Sequence, residues 1–304
     1  MPIVIPDQLP ATKILNAENI FTMDLSRARS QNIRPLEILV VNLMPTKIKT
    51  ETQLAKVLSN TPLQVKLTLL KMTSHESVNT DAKHLEIFYK SFADIKNQNY
   101  DGMIITGAPV EMLDFEQVDY YDELVEIMNF SKKHVYSTLH ICWGAQVALY
   151  HHYHINKYIR NTKLFGIYRH KVLDKTCPLV FGFDDYFSAP VSRLSETSKE
   201  EIKKCDNLHI LAESKEAGVF LIATDDGRQI FVTGHIEYDK FTLQDEYLRD
   251  LKKGLNIQEP YHYYKTIDGK KEIDYCWKAH GYLLFSNWLN YYVYQTTPYN
   301  LDNI

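Results

Sequence analysis

No apolar run in the 304 residues approaches the roughly 18 that a membrane span requires, so no transmembrane helix is expected. The start, Met1-Pro-Ile-Val-Ile-Pro-Asp-Gln-Leu-Pro10, has neither a basic nor a sustained apolar segment, so no signal peptide is expected and the compartment is read as the cytoplasm. Basic blocks are also missing. With 34 Lys and Arg against 38 Asp and Glu the net charge is −4, which leaves no nucleic-acid footprint. The four cysteines, Cys142, Cys177, Cys205 and Cys276, form no Cys-x-x-Cys pair. Neither a disulfide framework nor a zinc knuckle is suggested; reduced thiols are expected, one of them chemical and the others packing residues. There is no internal repeat and no low-complexity segment.

What is present is an alternation of apolar runs and helical spacings. Residues 36–42, Leu-Glu-Ile-Leu-Val-Val-Asn, suit a strand buried on both faces. A helix is expected over 50–58, strands over 63–72 and 100–106, a helix over 118–130, a strand over 134–141 and a helix over 142–150. Shorter strands are expected at 163–170, 179–183, 208–212, 219–224 and 230–233, then a helix over 243–255, a polar loop over 260–273 and a last helix from His280. Its stripe Leu284, Trp288 and Tyr291 would dock on the core. The fold class is α/β, a mostly parallel sheet core with a mixed C-terminal extension. The domain organisation expected is one domain over 1–304: an irregular lead-in to 35, a core over 36–255, and a C-terminal loop and helix over 256–304.

Chemistry concentrates at Cys142, in Leu139-His-Ile-Cys142-Trp-Gly-Ala-Gln146. A cysteine between an apolar strand and a helix sits at the tip of a tight turn, like the nucleophile elbow of hydrolases. The helix N-terminus favours the thiolate, and the Trp143 N–H would face a developing oxyanion. Leu36 and the Gly107 turn are both candidates for a second oxyanion donor. A thiolate nucleophile needs a base and the base an orienting partner. His235 and Glu237 follow the strand at 230–233, and on an extended segment residues two apart share a face. The cluster His151-His152-Tyr153-His154 looks metal-like but has no acidic or cysteine partner at suitable spacing, and no metal is expected.

The elbow cysteine with a distant His-x-Glu, together with Gly102-Met-Ile-Ile-Thr-Gly107-Ala-Pro109, resembles the class I glutamine amidotransferase fold, flavodoxin-like at its core. A closer resemblance covers nearly the whole chain: the homoserine O-acyltransferases of the MetA type. It rests on Asn42-Leu-Met-Pro-Thr-Lys-Ile-Lys-Thr50-Glu-Thr-Gln53, Thr106-Gly-Ala-Pro109, His140-Ile-Cys-Trp-Gly-Ala-Gln146, Gly234-His-Ile-Glu-Tyr-Asp239 and the segment from Gly281 to Gln295. This resemblance implies a ping-pong transfer from acyl-CoA to the hydroxyl of L-homoserine through a Cys142 thioester, in methionine biosynthesis. It implies no cofactor beyond acetyl-CoA as co-substrate, and leaves a homodimer open. By position it implies that Lys163 and Ser192 bind substrate and that Arg249 holds the homoserine carboxylate. Pro190-Val-Ser-Arg193 departs from the more usual Pro-His-Ser-Arg beside Ser192. Glu111 stands where the family selects its donor: a glutamate there fills space and repels the free carboxylate of a succinyl group, so the donor expected is acetyl-CoA. Homoserine O-succinyltransferase, a glutamine amidotransferase-like cysteine hydrolase and a non-enzymatic relative of the fold are the alternatives.

Overall fold

A computed structural model describes residues 3–31 and 33–304. Its strands are β1 (Ile3–Val4), β2 (Thr22–Met23), β3 (Leu36–Val41), β4 (Val65–Leu70), β5 (Tyr89–Lys90), β6 (Tyr100–Ile105), β7 (Val135–Ile141), β8 (Lys157–Val172), β9 (Tyr186–Thr197), β10 (Leu208–Ser214), β11 (Gly218–Thr224), β12 (Gln229–Val232), β13 (Tyr264–Ile267) and β14 (Lys270–Ile273). The helices are α1 (Pro10–Ala17), α2 (Leu25–Arg29), α3 (Lys47–Leu58), α4 (Ala82–Phe88), α5 (Phe92–Ile95), α6 (Tyr121–His134), α7 (Trp143–Tyr153), α8 (Lys199–Lys203), α9 (Thr242–Lys252) and α10 (Lys278–Asn287), which continues as a π-helical stretch, Trp288–Tyr294.

One sheet runs in the order β2-β1-β4-β3-β6-β7-β12-β11-β10-β8-β9, with β5 beside β4. It is parallel from β2 to β12 and antiparallel from β12 to β9, so the expected mixed architecture is the observed one. The apolar runs of β3, β6 and β7 supply both faces, because successive side chains point to opposite sides. Ile38, Val40, Ile104 and Leu139 pack with α3, α10 and Trp288 on one side. Leu39, Val41, Met103 and Ile105 pack with α6 and α7 on the other. The last helix docks as expected: Trp288 is fully buried, and its Nε1 donates to Ser137 Oγ at 3.0 Å. Since β3, β6, β7 and β12 are parallel, their C-terminal ends share one edge, where Asn42, Gly107, Cys142 and His235 follow them.

Several expectations need correction. The lead-in expected to be irregular holds α1, α2, β1 and β2, and β1 pairs with β4, because Ile3, Val4 and Ile5 are buried in the core. No strand forms at 179–183: Pro178 opens a 3₁₀ turn, Pro178–Val180, and Gly182 at φ +81° bends the chain out of extension. The loop expected at 260–273 contains the hairpin of β13 and β14, turning on Asp268 and Gly269, both at positive φ. The strand expected at 163–170 runs from 157 to 172 and pairs along β9, which was not anticipated.

Candidate active site

Cys142 caps α7 at φ +52°, ψ −116°, a backbone conformation that costs a non-glycine residue about 1–3 kcal/mol. The turn is held from both sides. Its N–H donates to Val232 O at 2.7 Å, and its carbonyl accepts from the N–H groups of Ala145 and Gln146. Gly144 is required here, since a Cβ would lie 2.6 Å from Thr106 O and 2.8 Å from Ile105 O. Gly107 faces the nucleophile, and a Cβ there would lie 3.2 Å from the Cys142 Cβ. Trp143 is the first helical residue, so its N–H has no acceptor within the helix. Leu36 is no oxyanion donor: it begins β3, at the opposite edge of the sheet, and its N–H is bound to Gln64 O at 2.8 Å.

His235 is buried, and its N–H donates to Pro190 O at 2.9 Å. Its Nδ1 lies 2.8 Å from Glu237 Oε1, so Nδ1–H donates to the carboxylate and Nε2 is left for the Cys142 sulfur. The segment is a turn rather than the extended piece expected, and the two side chains meet across it. Tyr238 stacks on the imidazole at 4.1 Å between centroids. Burial alone would lower the basicity of His235. The Cys142 thiolate and the Glu237 carboxylate outweigh it, each by charge and by hydrogen bond, and hold the imidazole well above its usual range. Glu237 Oε2 is buried with no hydrogen-bond partner among the described residues.

Cys142, His235 and Tyr238 line a cavity of about 300 Å³ together with Glu111, Lys163, Ser192, Glu246 and Arg249. Ser192 Oγ donates to Glu246 Oε2 at 2.6 Å, and Tyr238 OH donates to Glu246 Oε1 at 2.8 Å. Arg249 is half exposed, with Nε donating to Asp250 Oδ1 at 2.7 Å. Lys163 Nζ is 3.4 Å from Asp250 Oδ2 and lies over the Phe165 ring. Val191, the departure beside Ser192, is fully buried against Leu164, Tyr168 and Ala217, so strand alternation still turns Ser192 to the cavity. Glu246 was missed in the sequence. Its signal is the i, i+3 spacing to Arg249, which puts a carboxylate and a guanidinium on one face of α9. Opposite lies Glu111, whose Oε2 accepts from Leu194 N–H at 2.7 Å.

The histidine cluster makes ordinary contacts, with His151 Nε2 2.9 Å from Asn129 Oδ1 and His152 edge-on to Tyr153. Among the described residues no group of three or more His, Cys, Asp or Glu is placed to hold a metal ion. Also among them, no helix is long and apolar enough to cross a membrane.

Known proteins match this chain along its whole length. A homoserine acyltransferase from Petrotoga mobilis, named homoserine O-acetyltransferase, is 57% identical over 304 residues, covering 100% of this chain and 98% of the relative. Proteins of the same name from Brevibacillus brevis and Bacteroides thetaiotaomicron are 56% and 53% identical, each covering 100% of this chain and 99% and 100% of the relative. Among solved structures, a glutamine amidotransferase from Thermotoga maritima superposes with a TM-score of 0.56 at 12% identity, over 84% of this chain and 97% of its own. Another from Methylobacillus flagellatus gives 0.54 at 10%, over 85% and 95%. At such identities the likeness is one of fold. The profile of the family described as HTS: Homoserine O-succinyltransferase matches residues 2–299, and with it the chain belongs to the homoserine O-acyltransferase family on the glutamine amidotransferase fold.

Proposed function

We infer that this protein is a cytoplasmic homoserine O-acetyltransferase of methionine biosynthesis, moving an acetyl group from acetyl-CoA to L-homoserine through a thioester on Cys142. The observation that carries the mechanism is the buried Cys142–His235–Glu237 arrangement opening onto one cavity with Arg249 and Glu246. The Cys142 thiolate attacks the acetyl thioester carbonyl, and the tetrahedral oxyanion is met by the Trp143 N–H, with the Gly107 N–H as second donor. The C–S bond to CoA breaks, and the leaving thiolate takes the proton from His235. Homoserine then enters. Its hydroxyl gives its proton to His235 Nε2 and attacks the acyl carbon, and the bond to Cys142 Sγ breaks to restore the thiolate. Glu237 keeps the imidazole in the tautomer that both steps use.

Homoserine brings a carboxylate and an ammonium. Arg249 offers its guanidinium fork to the first. Glu246, flanked by Ser192 and Tyr238, offers a fixed carboxylate to the second. Lys163 lines the same cavity. Glu111 favours acetyl over succinyl by volume and charge. The test is CoA release from acetyl-CoA and from succinyl-CoA, with and without L-homoserine. Release that depends on homoserine and is faster with acetyl-CoA is expected; a preference for succinyl-CoA would overturn the donor, and ammonia release from glutamine the reaction class.

A further inference from the structure

His235 and Glu246 stand on different elements. His235 follows β12 on a turn, and Glu246 lies within α9, three residues before Arg249. Homoserine has to meet both at once, with its ammonium on Glu246 and its hydroxyl at His235 Nε2. The distance between base and ammonium seat therefore has to be fixed, although the two belong to separate pieces of chain. One side chain touches both. The ring of Tyr238 lies face to face with the His235 imidazole, 4.1 Å between centroids and 19° between planes. Its hydroxyl donates to Glu246 Oε1 at 2.8 Å.

Tyr238 is itself held on every side. It is buried in an apolar cluster with Phe165, Leu243 and Trp277. Its N–H donates to His235 O at 3.2 Å, and its carbonyl accepts from Trp277 Nε1 at 2.8 Å. The next residue, Asp239, accepts from Lys56 Nζ at 3.1 Å. A tyrosine side chain is planar and rigid, so ring and hydroxyl move together and neither end shifts without the other. Burial, the Glu246 and Glu237 carboxylates and the Cys142 thiolate hold its phenol well above the usual range, so the hydroxyl stays a donor. A carboxylate offers about four acceptor positions. Tyr238 and Ser192 take one on each oxygen of Glu246, and the positions that remain serve an ammonium.

We propose that Tyr238 is a two-ended positioning residue: its ring face sets the imidazole of His235, its hydroxyl sets the carboxylate of Glu246, and one rigid side chain thereby fixes the span between base and acceptor. The two ends serve different half-reactions. The ring acts in both, because both move a proton through His235. The hydroxyl acts only in the second, because only homoserine meets Glu246. The proposal rests on the acyl-Cys142 mechanism and on the ammonium seat at Glu246, and deepens both. A tyrosine that merely filled space beside the site would affect the two half-reactions alike.

In a ping-pong reaction kcat/KM for each substrate reports its own half-reaction, so the two constants separate the two ends. They are compared in wild type, Tyr238→Phe, Tyr238→Leu, Glu246→Gln and the double variant Tyr238→Phe with Glu246→Gln. Tyr238→Phe keeps the ring and removes only the hydroxyl. It should lower kcat/KM for homoserine about tenfold, the size expected of a hydrogen bond to a charged group, and leave that for acetyl-CoA within about twofold of wild type. Tyr238→Leu removes the ring face and should lower both constants at least about tenfold, since a shift of about 1 Å at the base can cost about 10²-fold. Tyr238→Met takes its place if the leucine variant does not fold. In the double variant the two losses should not add, because the hydroxyl acts through Glu246. Equal falls in both constants for Tyr238→Phe, or fully additive losses in the double variant, would overturn the acceptor end. A native kcat/KM for acetyl-CoA in the ring-less variants would overturn the base end. Native kcat/KM for homoserine in Glu246→Gln would refute the ammonium seat beneath the proposal, and absence of any acetyl adduct in wild type would refute the acyl-Cys142 mechanism.

Discussion

Replacing Glu237 with glutamine keeps the size of the side chain and removes its charge, which isolates what the carboxylate does. Glu237 is buried, with Oε1 on His235 Nδ1 at 2.8 Å and Oε2 without a partner among the described residues. An amide in this position has two orientations and neither reproduces the native state. With its oxygen towards Nδ1–H, its NH₂ fills the place of Oε2 and is buried unpaired, a cost of about 1–3 kcal/mol. With its NH₂ towards Nδ1, it holds the imidazole in the tautomer that cannot take a proton at Nε2. One of the two anions that raise His235 is lost in either case, while the burial that lowers it remains. The expected result is a fall in kcat of about 10²–10⁴, equivalent to about 3–5 kcal/mol, with KM for homoserine little changed. The alkaline limb of the pH profile, where the imidazolium gives up its proton, should move to lower pH. Rates of Cys142 alkylation by iodoacetamide against pH report that limb without turnover. A variant with near-native kcat and an unmoved limb would show that Glu237 does not orient His235.

Three further outcomes follow from other parts of the molecule. Burial pushes His140 down to about 4 and His170 to about 3. The unfolded chain therefore takes up protons below about pH 6.5 that the folded chain refuses, so stability falls as pH drops, by about 2 kcal/mol for each histidine at pH 5. Urea unfolding at pH 7 and pH 5 should show a smaller loss in His170→Phe than in wild type, and an identical loss would remove His170 from the account. Arg249→Ala should raise the KM for homoserine tenfold or more and leave that for acetyl-CoA near its native value; equal effects on both would assign Arg249 a structural role. Gly144→Ala should destabilise by about 1–3 kcal/mol and misplace the nucleophile, because the new Cβ meets the carbonyls of Thr106 and Ile105; native stability in thermal unfolding would contradict the close approach of α7 to β6.

The parallel half of the sheet was legible because its strands are short apolar runs, buried on both faces, with helical spacings between them. The strand-to-helix turn at Cys142 was legible for the same reason. The antiparallel half was not. Pro190 sits within β9 and disguises it, yet it is tolerated because β9 is an edge strand, and its carbonyl takes the His235 N–H. Asp268-Gly269 was a readable hairpin signal, hidden in a segment whose strands are mostly exposed. Polar residues buried by distant partners leave no local trace at all. Lys47 is buried on the Asn42 carbonyl, Glu51 binds His84 and Tyr89, and Arg193 donates to Ala217 O. Periodicity reads all three as solvated. Lys163, Ser192 and Arg249 came from family resemblance rather than from spacing, and the structure lines one cavity with them. Glu246 was missed because it gains its meaning from Ser192, 54 residues away along the chain.

The central claim is that an acyl group rests on Cys142 between two half-reactions. Its most direct test is intact-mass and peptide analysis of wild-type protein incubated with acetyl-CoA in the absence of homoserine. One acetyl group on the peptide bearing Cys142, discharged on adding L-homoserine and absent from Cys142→Ala, is the result expected. No adduct on wild type, or full turnover by Cys142→Ala, would contradict it.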